Sequence, residues 1–208
     1  MCAMQISSNV AGYALQSQIQ TGLNAKVVEA IMQAEHDNSL QSTGNWGAYG
    51  NNPFDISVGN PNIDAMSSGS QGNGMLSFPN PATGVIAFDY YINNDPNMAS
   101  VRTAIKSGNP QTEMNAIINS QYAGSGHYTG PDGKKGSLLY GAYDTVTGAN
   151  YTTPSTASEL SGVASDYAGQ VATNFGLGSG SGWFTANNII IVASVILIIF
   201  LLYHTFTN

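Results

Sequence analysis

The sequence predicts a mostly α-helical domain with a small loop-and-strand lobe, followed by an amphipathic stalk helix and one C-terminal transmembrane helix. Three observations predict this. Helix caps and stops punctuate residues 1–125. A polar stretch rich in Gly, Asn and Ser separates the second and third helices over 38–80. The chain closes on an uncharged apolar run. The expected division is a domain over 1–150, an amphipathic helix with a glycine-rich hinge over 151–182, and a membrane helix over 183–206.

The first helix is expected to start at Ser8 as its cap, with Val10, Tyr13, Ala14 and Ile19 facing inward. Asn24 caps a second helix from Ala25 to about His36, with Val27, Val28, Ile31 and Met32 on its apolar face. A third runs from Pro81 to Ile92. Asp95 followed by Pro96, with Gly108 beyond, sets a fourth over 96–107, and Asn109-Pro110 opens a fifth to about Gln121. Pro131-Asp132-Gly133 reads as a turn, and the Tyr, Thr and Val of 137–152 as a small hairpin.

Farther on, Leu160, Val163, Tyr167, Val171 and Phe175 recur at helical spacing over about 156–175, behind a Thr156/Glu159 capping box. Gly176 to Gly182 is a flexible hinge by composition. From Trp183 to Phe206, 24 residues carry no formal charge, and roughly 20 apolar residues span a ~30 Å hydrocarbon core. The chain is expected to meet the bilayer there, with the remainder on one side. The N-terminus has no basic region and no continuous apolar run, so no secretory leader is expected.

Composition excludes several functions. The 208 residues include only 5 Lys and Arg against 12 Asp and Glu, a net charge of −7. Five scattered cations cannot make a phosphate-tracking stripe, so nucleic acid is not an expected partner. The single cysteine, Cys2, builds no disulfide framework. His36, His127 and His204 are too scattered for a metal site, and no cofactor is expected.

One residue stands out chemically. Glu35 lies seven residues after Val28 and four after Ile31, so at about 100° per residue it continues the apolar stripe. Glu29 points away and is expected in solvent. Glu35 also closes its helix, where the negative end of the macrodipole and desolvation both act against a charged carboxylate. A carboxyl group that keeps its proton is what general-acid catalysis of glycoside cleavage requires.

Four phrases then occur in order: Ala30-Ile31-Met32-Gln33-Ala34-Glu35; Asn51-Asn52-Pro53-Phe54-Asp55-Ile56-Ser57; Leu76 to Phe88 with its Thr83-Gly84-Val85-Ile86-Ala87; and Ala116 to Tyr128 with its Tyr122-Ala123-Gly124-Ser125-Gly126-His127-Tyr128. Together they resemble the lysozyme-like peptidoglycan hydrolases, of the lytic transglycosylase and glucosaminidase type, over roughly 25–130. The resemblance implies a lysozyme-like fold. It also implies that Glu35 is the general acid and that Tyr122 stands near it across the cleft. Asn52, Pro53 and Phe54 would shape the floor of a glycan groove, and Trp46 and Tyr49 are candidate stacking platforms for sugars. His36 and Asp37 depart from the small residue usual after the acid, and His36 is expected to face water. A second carboxylate is not evident: Asp55 and Asp64 lie in the right loop, but Asp55 stands where a small or amide residue is usual. A single acid suffices for a lytic transglycosylase or for N-acetyl-assisted hydrolysis.

The expected activity is therefore cleavage of peptidoglycan glycan strands by a membrane-anchored protein. The absence of a leader suggests a phage virion protein that opens the wall for genome delivery, seated in a virion's internal membrane or in the host membrane, with virion proteins as further partners. The alternative is a catalytically inactive lysozyme-like structural membrane protein of a virion.

Overall fold

The computed structural model describes residues 5–36, 45–122, 127–148 and 150–151. The expected stalk helix, glycine hinge and membrane helix over 156–206 lie outside the described residues. Among the described residues no helix is long and apolar enough to cross a membrane.

The architecture is mostly helical. Strand β1 (Gln5–Ile6) leads into α1 (Ser8–Thr21), α2 (Ala25–Glu35), a 3-10 turn at Gly47–Tyr49, and the single-turn α3 (Pro61–Asp64). Strands β2 (Gly69–Ser70) and β3 (Leu76–Ser77) follow, then α4 (Pro81–Asn94). A 3-10 turn at Pro96–Met98 precedes α5 (Ala99–Ile105), α6 (Pro110–Ile118), α7 (Ser137–Thr147) and β4 (Asn150–Tyr151). Strands β1 and β4 pair in parallel, Gln5 opposite Asn150, and β2 and β3 pair antiparallel, Gly69 opposite Ser77.

Side-chain caps set most helix starts. Asn24, Asn80 and Asn109 each accept from a backbone N–H of the first turn, at Lys26, Thr83 and Thr112. Asp95 caps the 3-10 turn instead of a continuous helix, so the expected helix over 96–107 begins as 3-10 and is α-helical only from Ala99. The first cap is Ser7 rather than Ser8: its Oγ accepts from Val10 N at 3.3 Å. Val10, Tyr13 and Ala14 are buried as the spacing predicts, but Ile19 is 50% exposed. Ser17 takes the inward place near that end of α1, donating to Asp89 of α4 at 2.5 Å.

Helix α2 is central. It packs against α1, α6 and α7, while α1 also packs on α4 and α5 on α6. Being covered on several sides, α2 buries Val27, Val28, Ala30, Ile31 and Met32 completely. This overturns the expectation for Glu29, which is 3% exposed. Amphipathic reasoning assumes one wet face, and a central helix has none there. The expected hairpin over 137–152 is also corrected. Residues 137–147 are helical because Leu139, Ala142 and Val146, spaced by three and four, are buried. Tertiary burial overrides the β propensity of Tyr, Thr and Val.

The polar stretch after α2 folds as a lobe built on Asn52. Its buried Nδ2 donates to the carbonyls of Ile56 and Leu76, and its Oδ1 accepts from Ile56 N, all at 3.0 Å. Asn51 and Asp55 adopt left-handed backbone (φ 55° and 46°), a region that Asn and Asp tolerate better than other side-chain-bearing residues. Helix α4 approaches this loop closely at Gly84, where a Cβ would lie 2.7 Å from both Asn51 O and Pro53 Cδ. Only glycine permits that approach.

Burial pushes the Glu29 carboxyl up to about 7, opposed by Lys26 at 3.2 Å. A carboxyl that holds its proton more tightly when folded stabilises the fold below its unfolded pKa, and loses that contribution as pH rises through the folded value. Glu29→Gln carries no such proton. In urea titrations at pH 4.5 and pH 8, the variant should gain on the order of 2 kcal/mol relative to wild type at the higher pH.

Candidate active site

Glu35 ends α2, and its side chain is 2% exposed. The last turn of a helix presents carbonyls and has no free N–H to offer a carboxylate. The donors come from elsewhere. Tyr128 Oη donates to Glu35 Oε1 at 2.6 Å, and His127 Nε2 lies 2.6 Å from Oε2. Tyr122 Oη is 3.5 Å from Oε1 and donates to the Phe54 carbonyl at 2.6 Å. One carboxyl group thus gathers the end of α2, the loop after Asn52 and the segment beyond α6.

Glu35, Phe54, Tyr122 and His127 line a cleft of about 550 Å³, within the roughly 300–1,000 Å³ of small-ligand sites. Glu35, Asp55, Tyr122 and His127 form its acidic and hydrogen-bonding wall. Residues Phe54 to Asn60 run along it, and Tyr91 and Asp95 line it from α4 and its end. No Lys or Arg is among the lining residues. Among the described residues no group of three His, Cys, Asp or Glu is arranged to hold a metal ion.

Electrostatics keeps both phenols protonated. Burial, then the neighbouring Glu35 charge and its hydrogen bond, hold the Tyr128 hydroxyl well above its ordinary range. Tyr122 is raised likewise, by burial first and by Tyr128 and Glu35 after it. Both therefore remain donors. The bond to Glu35 raises His127; partial burial opposes this, and the charges of Glu35 and Asp55 add to the rise. Burial pushes the Asp55 carboxyl up; His36 opposes that, Glu35 adds to it, and His127 opposes it.

The structure brings Glu35, Tyr122 and Phe54 together at the cleft. The Phe54 ring is stacked on Phe88 at 3.9 Å, so it reaches the cleft from the core side. Five other expectations come out differently. Trp46 is wholly buried, 6.0 Å from the Tyr13 ring, and a buried indole cannot stack on a sugar. Asn52 is wholly buried and its amide is taken up by the loop backbone. Pro53 is buried beneath Gly84 and is absent from the cleft lining. Tyr49 is 41% exposed but lies outside the lining, edge-on to His36 at 5.0 Å. His36 does not face water: its Nε2 lies 3.0 Å from Asn52 O and 3.7 Å from Asp55 Oδ1. Of the two candidate second carboxylates, Asp55 lines the cleft. Asp64 does not, and accepts instead from Gly59 N at 3.2 Å.

Tyr128 and His127 carry no role in the sequence reading, although both stand in the closing phrase that resembles the lysozyme-like group. The signal for Tyr128 was its place after a Gly-x-Gly pair, which ranks it beside Tyr122. His127 had none, since its partner lies 92 residues away.

Asn52→Ala removes three buried hydrogen bonds: Ile56 N–H loses its acceptor, while the Ile56 and Leu76 carbonyls keep Leu76 N and Gln71 Nε2 as donors. The expected loss is about 3 kcal/mol, read as a lower urea midpoint. The His127–Glu35 pair contributes stability that is present below His127's unfolded pKa of about 6.5 and is lost as pH rises through the raised folded value. By ¹⁵N NMR, His127 should titrate above 6.5 in the wild type and lower than that wild-type value in Glu35→Gln, where the partner charge is gone. No family profile, curated protein or solved structure matches the chain.

Proposed function

We propose that this chain cleaves the glycan strand of peptidoglycan, with Glu35 as the general acid. The carrying observation is a nearly inaccessible carboxyl at the wall of a cleft, bonded through one oxygen to Tyr128 and through the other to His127. Such a group is oriented and shielded, as an acid aimed at a glycosidic oxygen must be. A lining without Lys or Arg suits an uncharged hydroxyl- and amide-bearing sugar better than a phosphorylated ligand.

Tyr122, tied to the Phe54 carbonyl, spans the cleft wall and the floor and positions the acid's surroundings. Asp55 supplies a second carboxyl to the same cleft. As a base or nucleophile it would serve a hydrolase; left unused, it leaves the attack to the sugar's own 6-hydroxyl, as in a lytic transglycosylase. With the C-terminal apolar run as anchor, the domain would work at a membrane surface, as a phage virion protein opening the wall would.

The test is clearing of purified cell wall by the full-length chain, with the same mild detergent in every arm, beside Glu35→Gln. The variant should lose about 10²–10⁴ of the activity. Equal clearing by both removes Glu35 from the chemistry, and no clearing by either assigns the chain a non-catalytic role. Mass spectrometry of the products separates the reactions: anhydro-muramyl ends for transglycosylation, reducing ends for hydrolysis.

A further inference from the structure

Both oxygens of the Glu35 carboxyl are engaged, by partners that differ in kind. Oε1 receives the hydroxyl of Tyr128, a residue 1% exposed. That phenol holds its proton throughout the neutral range. Oε2 faces His127, whose side chain is 43% exposed and lines the cleft. Oε1 is thus held from the protein side, and Oε2 is the oxygen that can carry a transferable proton. The group sitting on it exchanges protons with solvent in the neutral range.

We propose that His127 and Glu35 form a proton-sharing dyad, in which His127 takes a proton from solvent and passes it to Glu35 Oε2, so that His127 sets the upper pH limit of glycan cleavage. This rests on the glycan-cleaving reading above. With one transferable proton in the pair, Glu35 Oε2 gives it to the glycosidic oxygen as the C1–O bond breaks, and the bonding electrons leave with that oxygen. The incoming hydroxyl, from water or from the sugar's 6-position, bonds to C1. Its proton goes to the Glu35 carboxylate and restores the pair. Protons and electrons balance without a further co-reactant.

The titratable groups facing His127 are Glu35 from α2 and Asp55 from the loop, with the Tyr128 ring at 4.9 Å. The two carboxyls both favour the imidazolium form, and no Lys or Arg lines the cleft to oppose it. Above the pH at which the pair loses this proton, the imidazole can only donate its N–H to a carboxylate. The acid is then empty. His127 acts through Glu35 and is a positioning residue.

A residue that merely orients Glu35 would be replaced by an amide without moving the pH profile. The experiment compares kcat/KM of the full-length wild type and His127→Gln on purified cell wall between pH 4.5 and 9, with released muropeptides quantified by mass spectrometry. The basic limb of the variant should fall by about half a unit or more. A limb that stays in place or rises overturns the dyad. A second measurement needs no variant: in the wild type, the ¹⁵N titration of His127 should coincide with the basic limb of kcat/KM, and a separation beyond about one unit overturns the dyad equally. Cleavage with an unmoved limb removes the dyad alone. Absence of cleavage by the wild type at every pH removes the glycan-cleaving reading and the dyad with it.

Discussion

A carboxyl group buried at the last residue of a central helix is the constraint on which the rest of this domain turns. Desolvating Glu35 is costly unless donors replace water, and the end of α2 has none to give. Tyr128, His127 and, at longer range, Tyr122 supply them from a segment about 90 residues farther along the chain. Satisfying one acid therefore joins α2 to the segment that follows α6. Tyr122 continues that connection to the Phe54 carbonyl, so the floor of the cleft is set by the same network.

The lobe on the other side of the cleft is ordered by a second small set of bonds. Asn52 ties Ile56 and Leu76 together, and the β2–β3 hairpin follows from that tie. His36, immediately after Glu35, reaches the Asn52 carbonyl and lies near the Asp55 carboxyl. The acid and the lobe are thereby coupled through adjacent residues of one strand of chain. Gly84 lets α4 press against the same loop. The left-handed backbone of Asp55 accompanies its place in the cleft wall. Asp at this position is compatible with the local geometry, since Asp tolerates that conformation.

Charge is sparse in the chain, and the site uses what there is. Among the cleft-lining residues are three acids and one imidazole, without Lys or Arg. Such a wall has little to hold a phosphate and much to handle a proton. Two phenols kept neutral by burial fix the carboxyl in place, and the exposed imidazole connects it to solvent. Division of labour between fixed and exchangeable partners is what distinguishes this carboxyl from Glu29. The latter is equally buried, beside Lys26, but is absent from the cleft lining.

The sequence by itself determined the helical class, the helix starts at Asn24 and Asn109, the loop lobe and the candidacy of Glu35. Each of these depends on neighbours within a few residues, where capping and periodicity act. Only the tertiary structure decided the rest. It buried Trp46 and Asn52, which a loop reading places toward a ligand, because burial depends on what covers a residue rather than on its own segment. It turned 137–147 into a helix and buried Glu29, because α2 is covered on several sides. It placed His127 and Tyr128 on Glu35, a pairing across more than 90 positions that no local spacing can express. A buried carboxyl must find donors wherever the fold can bring them, and only the closed fold shows which residues those are.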